Sequence, residues 1–173
     1  VVAFHLGRLD GGFLGVDLFF VLSGFLITRL LLAERDRSGR VDLRAFWGRR
    51  ARRLLPLLLV VVPRVMVGSR LWLASWRLPS IGGDALAALA YVANWRFVLA
   101  GQSSFAAGVD PSPLRHTWSL AVEEQFYLLW PVLVIALVRL APRAPRLAVG
   151  VGSAALTVVG AGLMAWAARS GHD

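Results

Sequence analysis

The stretch "GFLGVDLFFVLSGFLIT", residues 12–28, is almost entirely apolar but carries a carboxylate, Asp17, near its start. With the residues that follow, it predicts one apolar helix over 13–33, long enough to cross a hydrocarbon core of roughly 30 Å. An aspartate near the centre of such a helix costs about 2.5 to 3.5 kcal/mol, and less when it lies one turn inside the end. Asp17 therefore needs a partner or polar surroundings.

His5 is the nearest candidate partner for Asp17. It precedes the glycine-rich stretch "GRLDGG" at 7–12, which predicts a tight turn between antiparallel helices. In that hairpin Asp17 lies about three residues, or roughly 4.5 Å, deeper than His5. A carboxylate that holds one imidazole nitrogen leaves the other free to take a proton from a hydroxyl. The alternative is that Asp17 caps the start of its own helix.

The composition indicates an integral membrane protein. Hydrophobic residues make up 57% of the chain and charged residues only 17%, gathered in clusters between long apolar stretches. The net charge of +9 would fit nucleic-acid binding, but arginines between apolar spans are what membrane topology requires, so we expect no nucleic-acid partner. The chain has no cysteine, which excludes disulfides and thiol chemistry, and we expect no metal site.

The apolar segments predict an all-α, polytopic transmembrane helical bundle. Besides 13–33, the expected apolar helices are 54–74, 84–100, 116–139 and 147–168. The opening "VVAFHLG" is typical of the end of a helix already under way. We therefore expect residues 1–173 to be a partial membrane domain, truncated at both ends, with about five to six helices of a larger bundle.

The arginine clusters predict the orientation. The expected loop at 34–53 has eight arginines against three acidic residues and is therefore predicted to be cytoplasmic. The basic turn at 139–146 is predicted to lie on the same side, which requires an even number of crossings between the two. We therefore predict that 84–100, which is short and contains Asn94 and Arg96, is re-entrant or lies along the outer interface.

A second pair of carboxylates lies in "HTWSLAVEEQFYLLWP", residues 116–131. Glu123 and Glu124 fall about two turns into an apolar helix, and Ser119, Glu123 and Tyr127 share one stripe at i, i+4 and i+8. Adjacent carboxylates in a span need a polar interior, a cation or a proton. They belong either to a functional site or to a hydrogen-bond network that locks helices together. His116 is a weaker catalytic candidate.

The third polar feature is "FWGRRARRLLP", residues 46–56. Arg50 and Arg53 share a face if a helix begins here. Guanidinium groups suit phosphate oxygens, so a phosphate-rich substrate such as coenzyme A is one candidate ligand. A cytoplasmic stop signal or a contact with anionic lipid heads is the alternative.

These features together resemble the acyltransferase 3 family of integral membrane O-acyltransferases. The resemblance rests on three stretches, in order and spacing: "GGFLGVDLFFVLSGFLIT" (11–28), "FWGRRARRLLP" (46–56) and "PLRHTWSLAVEEQFYLLWP" (113–131). It covers nearly the whole chain.

The resemblance implies transfer of an acyl group, commonly acetyl, from acyl-CoA to a hydroxyl. The acceptor would be a cell-surface glycan, a lipid or a small product, and the site would lie in the bacterial cytoplasmic membrane with no tightly bound cofactor. The expected catalytic residues are His5, Asp17, Glu123 and Glu124, and the expected donor-binding residues are Arg50 and Arg53. A glycolipid transporter or flippase, or a non-catalytic membrane scaffold, remains open because both would carry similar intramembrane charges.

Overall fold

The computed structural model describes residues 14–101 and 112–170. Over these residues all regular structure is helical. The elements are α1 (Leu14–Ser38), α2 (Leu43–Trp72), a 3₁₀ turn (Ser75–Arg77), α3 (Leu78–Leu89), α4 (Ala93–Leu99), α5 (Thr117–Leu140) and α6 (Pro145–Arg169). The predicted all-α fold is confirmed for this part of the chain.

Four of the helices, α1, α2, α5 and α6, are long and apolar enough to cross a membrane. Large apolar side chains cover their outer faces, and Leu22, Leu57, Leu129 and Val158 each remain more than half exposed. A soluble protein rarely exposes so much apolar surface, whereas lipid chains solvate it well. The chain is therefore a multi-pass membrane protein.

The prediction of one helix over 84–100 is wrong, because the segment is divided between α3 and α4. The break lies at Tyr91, whose φ of 55° is left-handed and cannot continue a right-handed helix. Neither helix is long enough to cross a bilayer. Among the described residues α2 and α5 are then the candidate spans between 43 and 140, which is the even number that the charge pattern requires. A re-entrant or interfacial location of α3 and α4 stays a prediction.

The predicted extent of the basic loop, 34–53, is also wrong. Helix α1 continues to Ser38 and α2 begins at Leu43, so only four residues separate them. Asp42 caps the N-terminus of α2, its carboxylate accepting from the backbone N–H of Ala45 at 2.9 Å. The arginines after Asp42 therefore project from a helix, which fixes their directions more firmly than a loop would.

The chain is divided into two compact units. The first contains the start of α1, helices α2 to α4 and α5 as far as Leu129, and the second contains the end of α1, the end of α5 and α6. In the core of the first unit, Leu58 and Val62 of α2 pack with alanines of α3 and with Phe97 of α4. The small alanine side chains let α3 approach α2 closely, which makes a dense apolar support for the surrounding polar residues.

A partly buried ion pair joins α3 to α4. Asp84 is only 2% exposed and accepts a hydrogen bond from Arg96 Nε at 2.6 Å, while Arg96 Nη2 donates to the carbonyl of Ser80 at 3.1 Å. Gly83 leaves the room for this contact, since a Cβ at that position would collide with the Arg96 guanidinium. The sequence marks Arg96 as a polar residue in an apolar segment but does not indicate its partner.

In the second unit, polar contacts hold the helices at two levels. Trp130 Nε1 donates to Thr28 Oγ1 at 2.8 Å, and near the helix ends Arg146 Nη2 donates to Asp36 Oδ2 at 2.8 Å. The Arg146–Asp36 pair is exposed and contributes little to stability.

We expect Asp84→Ala to destabilise the protein because it removes the carboxylate that neutralises Arg96. The loss is expected to be about 1 to 3 kcal/mol, the usual penalty for leaving a buried polar partner unsatisfied. The measurement is the thermal unfolding midpoint of the purified protein in detergent. Asp36→Ala, which breaks the exposed ion pair, is the matched control and should cost at most about 1 kcal/mol. Equal shifts for the two variants would contradict the assignment.

Candidate active site

A cavity of about 390 Å³ lies in the first unit, where α2, the α3–α4 junction and α5 meet. Three aromatic rings and three polar side chains form much of its wall. They are Trp47, Tyr91, Tyr127, Arg50, Glu124 and Gln125. A cavity of this size, mainly apolar with a few polar groups, is typical of small-molecule sites.

Arg50 of α2 is held against α5 by two contacts. Its guanidinium carbon lies 3.1 Å from the centroid of the Tyr127 ring, and its Nη2 lies 3.7 Å from Glu123 Oε1. Both charged side chains are mostly buried, at 23% exposure for Arg50 and 15% for Glu123. In such surroundings a cation needs both a counter-ion and a π-face, because water is not there to solvate it.

The predicted stripe on α5 is confirmed at its centre. The Tyr127 hydroxyl donates to Glu123 Oε1 across one turn, and Ser23 of α1 hydrogen-bonds the same hydroxyl. Gly24 follows Ser23, and a Cβ there would lie 3.4 Å from the Phe126 ring. Two small residues of α1 therefore lie against α5, Ser23 at the Tyr127 hydroxyl and Gly24 at the Phe126 ring.

A proline explains how Trp47 is positioned. Pro131 lies inside α5 and has no N–H, so the carbonyl of Tyr127, four residues earlier, loses its helical donor. Trp47 Nε1 supplies the missing hydrogen bond to that carbonyl at 3.1 Å. This contact ties the first turns of α2 to the middle of α5, next to Arg50.

Gln125 connects α5 to the α3–α4 junction. Its Nε2 donates to the Tyr91 carbonyl at 2.8 Å and to Asn94 Oδ1 at 2.9 Å, and Asn94 Nδ2 donates back to Gln125 Oε1 at 3.3 Å. The reciprocal amide pair satisfies both side chains. It also holds the backbone of Tyr91 in place beside the cavity.

Two buried atoms at the cavity have no hydrogen-bond partner within the described part of the chain. They are Glu124 Oε1, an acceptor, and Arg50 Nε, a donor. A buried polar atom without a partner is costly in a stable fold. A third such atom, Asp84 Oδ2, lies away from the cavity, but only at the cavity do an unpartnered donor and an unpartnered acceptor of the described residues line one space that a ligand could enter.

Tyr91 is a residue that the sequence analysis missed. Burial raises the pKa of its hydroxyl, and the nearby Glu124 carboxylate raises it further. The hydroxyl therefore keeps its proton at neutral pH and is available as a hydrogen-bond donor. No local motif indicates this role, because the sequence around Tyr91 is typical of an ordinary apolar helix.

The structure brings together three of the predicted site residues, Arg50, Glu123 and Glu124. Arg53 lies one turn further along α2, is exposed and does not line the cavity. Asp17 lies exposed in the first turn of α1. His5 is outside the described residues, so its contact with Asp17 stays a prediction.

His116 lies exposed just before α5. Over residues 14–101 and 112–170, no three histidine, aspartate or glutamate side chains are grouped closely enough to hold a metal ion.

The fold and cavity define a class of protein, a multi-pass helical membrane protein with an arginine, carboxylates and tyrosines gathered at one cavity. A family model described as an acyltransferase domain matches residues 2–167. The chain belongs to this family, the acyltransferase 3 family, as the sequence motifs predicted. No solved structure matches the chain.

Curated relatives of this chain have names of the same kind. It is 43% identical over 141 residues to the peptidoglycan O-acetyltransferase OatA of Listeria monocytogenes, covering 80% of this chain and 22% of that protein. It is 44% identical over 140 residues to a putative O-acetyltransferase of Staphylococcus aureus strain COL, covering 79% and 23%. The putative peptidoglycan O-acetyltransferase YrhL of Bacillus subtilis is 42% identical over 140 residues, covering 78% and 22%. The chain thus spans about a fifth of the length of these relatives.

The Trp47 contact can be tested with a double-mutant cycle. Trp47→Phe should lower stability by about 1 kcal/mol, because the Tyr127 carbonyl loses the hydrogen bond from Trp47. In a Pro131→Ala background the new N–H at 131 satisfies that carbonyl, so the same substitution should cost clearly less. The readout is the unfolding midpoint of the four proteins in detergent. An equal cost in both backgrounds would contradict the hydrogen bond, since lost ring packing cancels in the cycle.

Proposed function

We propose that this chain forms part of a membrane-embedded O-acyltransferase. The enzyme moves an acyl group, with acetyl as the first choice, from acyl-CoA to a hydroxyl of a cell-surface glycan at the bacterial cytoplasmic membrane. The observation that carries the proposal is the cluster of Arg50, Glu123 and Glu124 at one cavity in a chain of the acyltransferase 3 family. The relatives named for peptidoglycan O-acetylation support a glycan acceptor and an acetyl group.

In this proposal His5 is the general base and Asp17 orients its ring. The acceptor hydroxyl gives its proton to His5 as its oxygen attacks the thioester carbonyl of the donor. The carbon–sulfur bond then breaks, and His5 returns the proton to the leaving coenzyme A thiolate. An ester and free thiol result, so no oxidant, reductant or metal is required.

The depth of Arg50 supports delivery of the donor to this site. Charge patterning alone puts the arginines at the cytoplasmic mouth of α2, distant from His5 on the outer side. In the first unit, however, Arg50 lies beside Glu123 and Tyr127, near the middle of α5. A donor bound along this face of α2 therefore needs to extend over a shorter distance to reach the acceptor.

In this proposal Arg50 and Arg53 contact the donor from different positions on α2. Arg53 is exposed and free to turn toward phosphate oxygens, for which a guanidinium is well shaped. Arg50 lies one turn, roughly 4.5 Å, earlier on the helix axis and is held at the cavity wall. Both arginines then bind phosphate oxygens of coenzyme A, Arg50 from the cavity wall and Arg53 from the exposed face of α2.

Glu123 and Glu124 have different roles in this proposal. Glu123 accepts from Tyr127 and pairs with Arg50, so it fixes the position of the arginine. Glu124 lines the cavity and has an unpartnered buried oxygen, so it is the carboxylate that contacts the acceptor. The transporter alternative has no comparable support, since the named relatives are acetyltransferases.

The role of His5 can be tested in the full-length protein with radiolabelled acetyl-CoA and a peptidoglycan-derived glycan. His5→Ala should lower transfer of label by a factor of about 10² to 10⁴, the usual contribution of a general base. Membrane insertion and the elution profile in detergent should be unchanged. Retained turnover would remove His5 from the mechanism, and no transfer of label by the unaltered protein would overturn the proposed function itself.

The role of Arg53 has a neighbouring control. Arg53→Ala should raise the KM for acetyl-CoA by about tenfold, because one charge-assisted contact to phosphate is lost. Arg52→Ala removes an equally exposed charge from the adjacent position and should leave that KM within about twofold. If both substitutions raise the KM alike, general attraction by the basic helix explains donor binding better than a defined contact.

A further inference from the structure

Tyr91 occupies a backbone position that favours glycine. It follows the last turn of α3 with a φ of 55°. Its N–H donates to the Ala88 carbonyl at 3.1 Å, and the Val92 N–H donates to the Ala87 carbonyl at 2.9 Å. This pair of bonds is the usual left-handed cap of a helix, in which glycine is the common residue because it has no Cβ. A tyrosine here is strained relative to glycine.

The strained backbone is held from a neighbouring helix. Gln125 donates to the Tyr91 carbonyl at 2.8 Å and pairs with Asn94, which follows Tyr91 by three residues. The Gln125–Asn94 pair therefore fixes both sides of the α3–α4 junction to α5. The backbone of Tyr91 is thereby held beside the cavity.

Tyr91 lines the cavity, together with Trp47 and Tyr127. Its hydroxyl is close enough to Glu124 to feel the charge of that carboxylate. The Tyr127 hydroxyl already donates a hydrogen bond to Glu123. The Tyr91 hydroxyl makes no such bond to Glu123. Tyr91 lines the same cavity as Glu124, whose Oε1 has no partner among the described residues.

We propose that Tyr91 is a substrate-contacting residue whose hydroxyl donates a hydrogen bond to an oxygen of the molecule that enters the cavity. This inference rests on the proposed acyl transfer and adds a residue to its site. The oxygen belongs either to a carbonyl of the acyl donor or to the glycan acceptor. In both cases the left-handed backbone is what aims the ring into the cavity, and Gln125 and Asn94 maintain it.

The test is Tyr91→Phe in the full-length protein. Phenylalanine keeps the ring, its packing and the strained backbone, so the unfolding midpoint should not change. The value of kcat/KM for acetyl transfer should fall by about tenfold, which corresponds to one hydrogen bond. Separate titrations of acetyl-CoA and of the glycan identify the source of the oxygen, because the KM that rises belongs to the substrate that Tyr91 contacts. Trp95→Phe, an exposed aromatic four residues away, is the control and should leave both constants unchanged.

A second pair of variants tests the aiming of the ring. Tyr91→Gly and Tyr91→Ala both delete it, but glycine tolerates the left-handed backbone, so the glycine variant should melt at a higher temperature than the alanine variant. Both should lose at least as much kcat/KM as the phenylalanine variant. Unaltered kinetics of Tyr91→Phe in a protein that does transfer acetyl would overturn this inference alone. Absence of transfer by the unaltered protein would remove the proposed function and this inference with it.

Discussion

The first unit depends on how the Arg50 charge is satisfied within an apolar helical protein. The guanidinium lies over the Tyr127 ring and beside the Glu123 carboxylate. Breaking a buried pair by removing one partner typically costs about 3 to 5 kcal/mol, whereas an exposed pair contributes about 1 kcal/mol or less. A shift of α2 along α5 by even one residue would separate these groups. The contact therefore links α2 to α5 beside the cavity.

The irregularities around the cavity obey the same constraint. Pro131 frees a carbonyl that Trp47 satisfies, and the reversal after α3 exposes a carbonyl that Gln125 satisfies. Where water is scarce, a helix can be broken only if a neighbouring side chain replaces the lost hydrogen bond. Each break thus comes with a fixed side chain from another helix. The cavity wall therefore includes residues that also satisfy backbone groups left without helical partners.

Much of this architecture follows from the sequence, and the exceptions have physical causes. Long apolar stretches predict the four span-length helices, and the i, i+4 spacing predicts the Glu123–Tyr127 contact. The division of 84–100 was not predictable, because a tyrosine in the left-handed region has no local signal and is imposed by contacts with α5. The capping carboxylate at Asp42 was a usable signal for the start of α2. The different surroundings of Arg50 and Arg53 depend on which helix packs against α2, and this is information that no single segment contains.

The Asp84–Arg96 pair has a consequence for how the protein is made. Each of these charges alone would oppose the transfer of its short helix out of water. Together they neutralise each other within one helical hairpin, at 2.6 Å and with Gly83 clearing the space. Helices α3 and α4 are therefore expected to fold as one unit and to pack on α2 together.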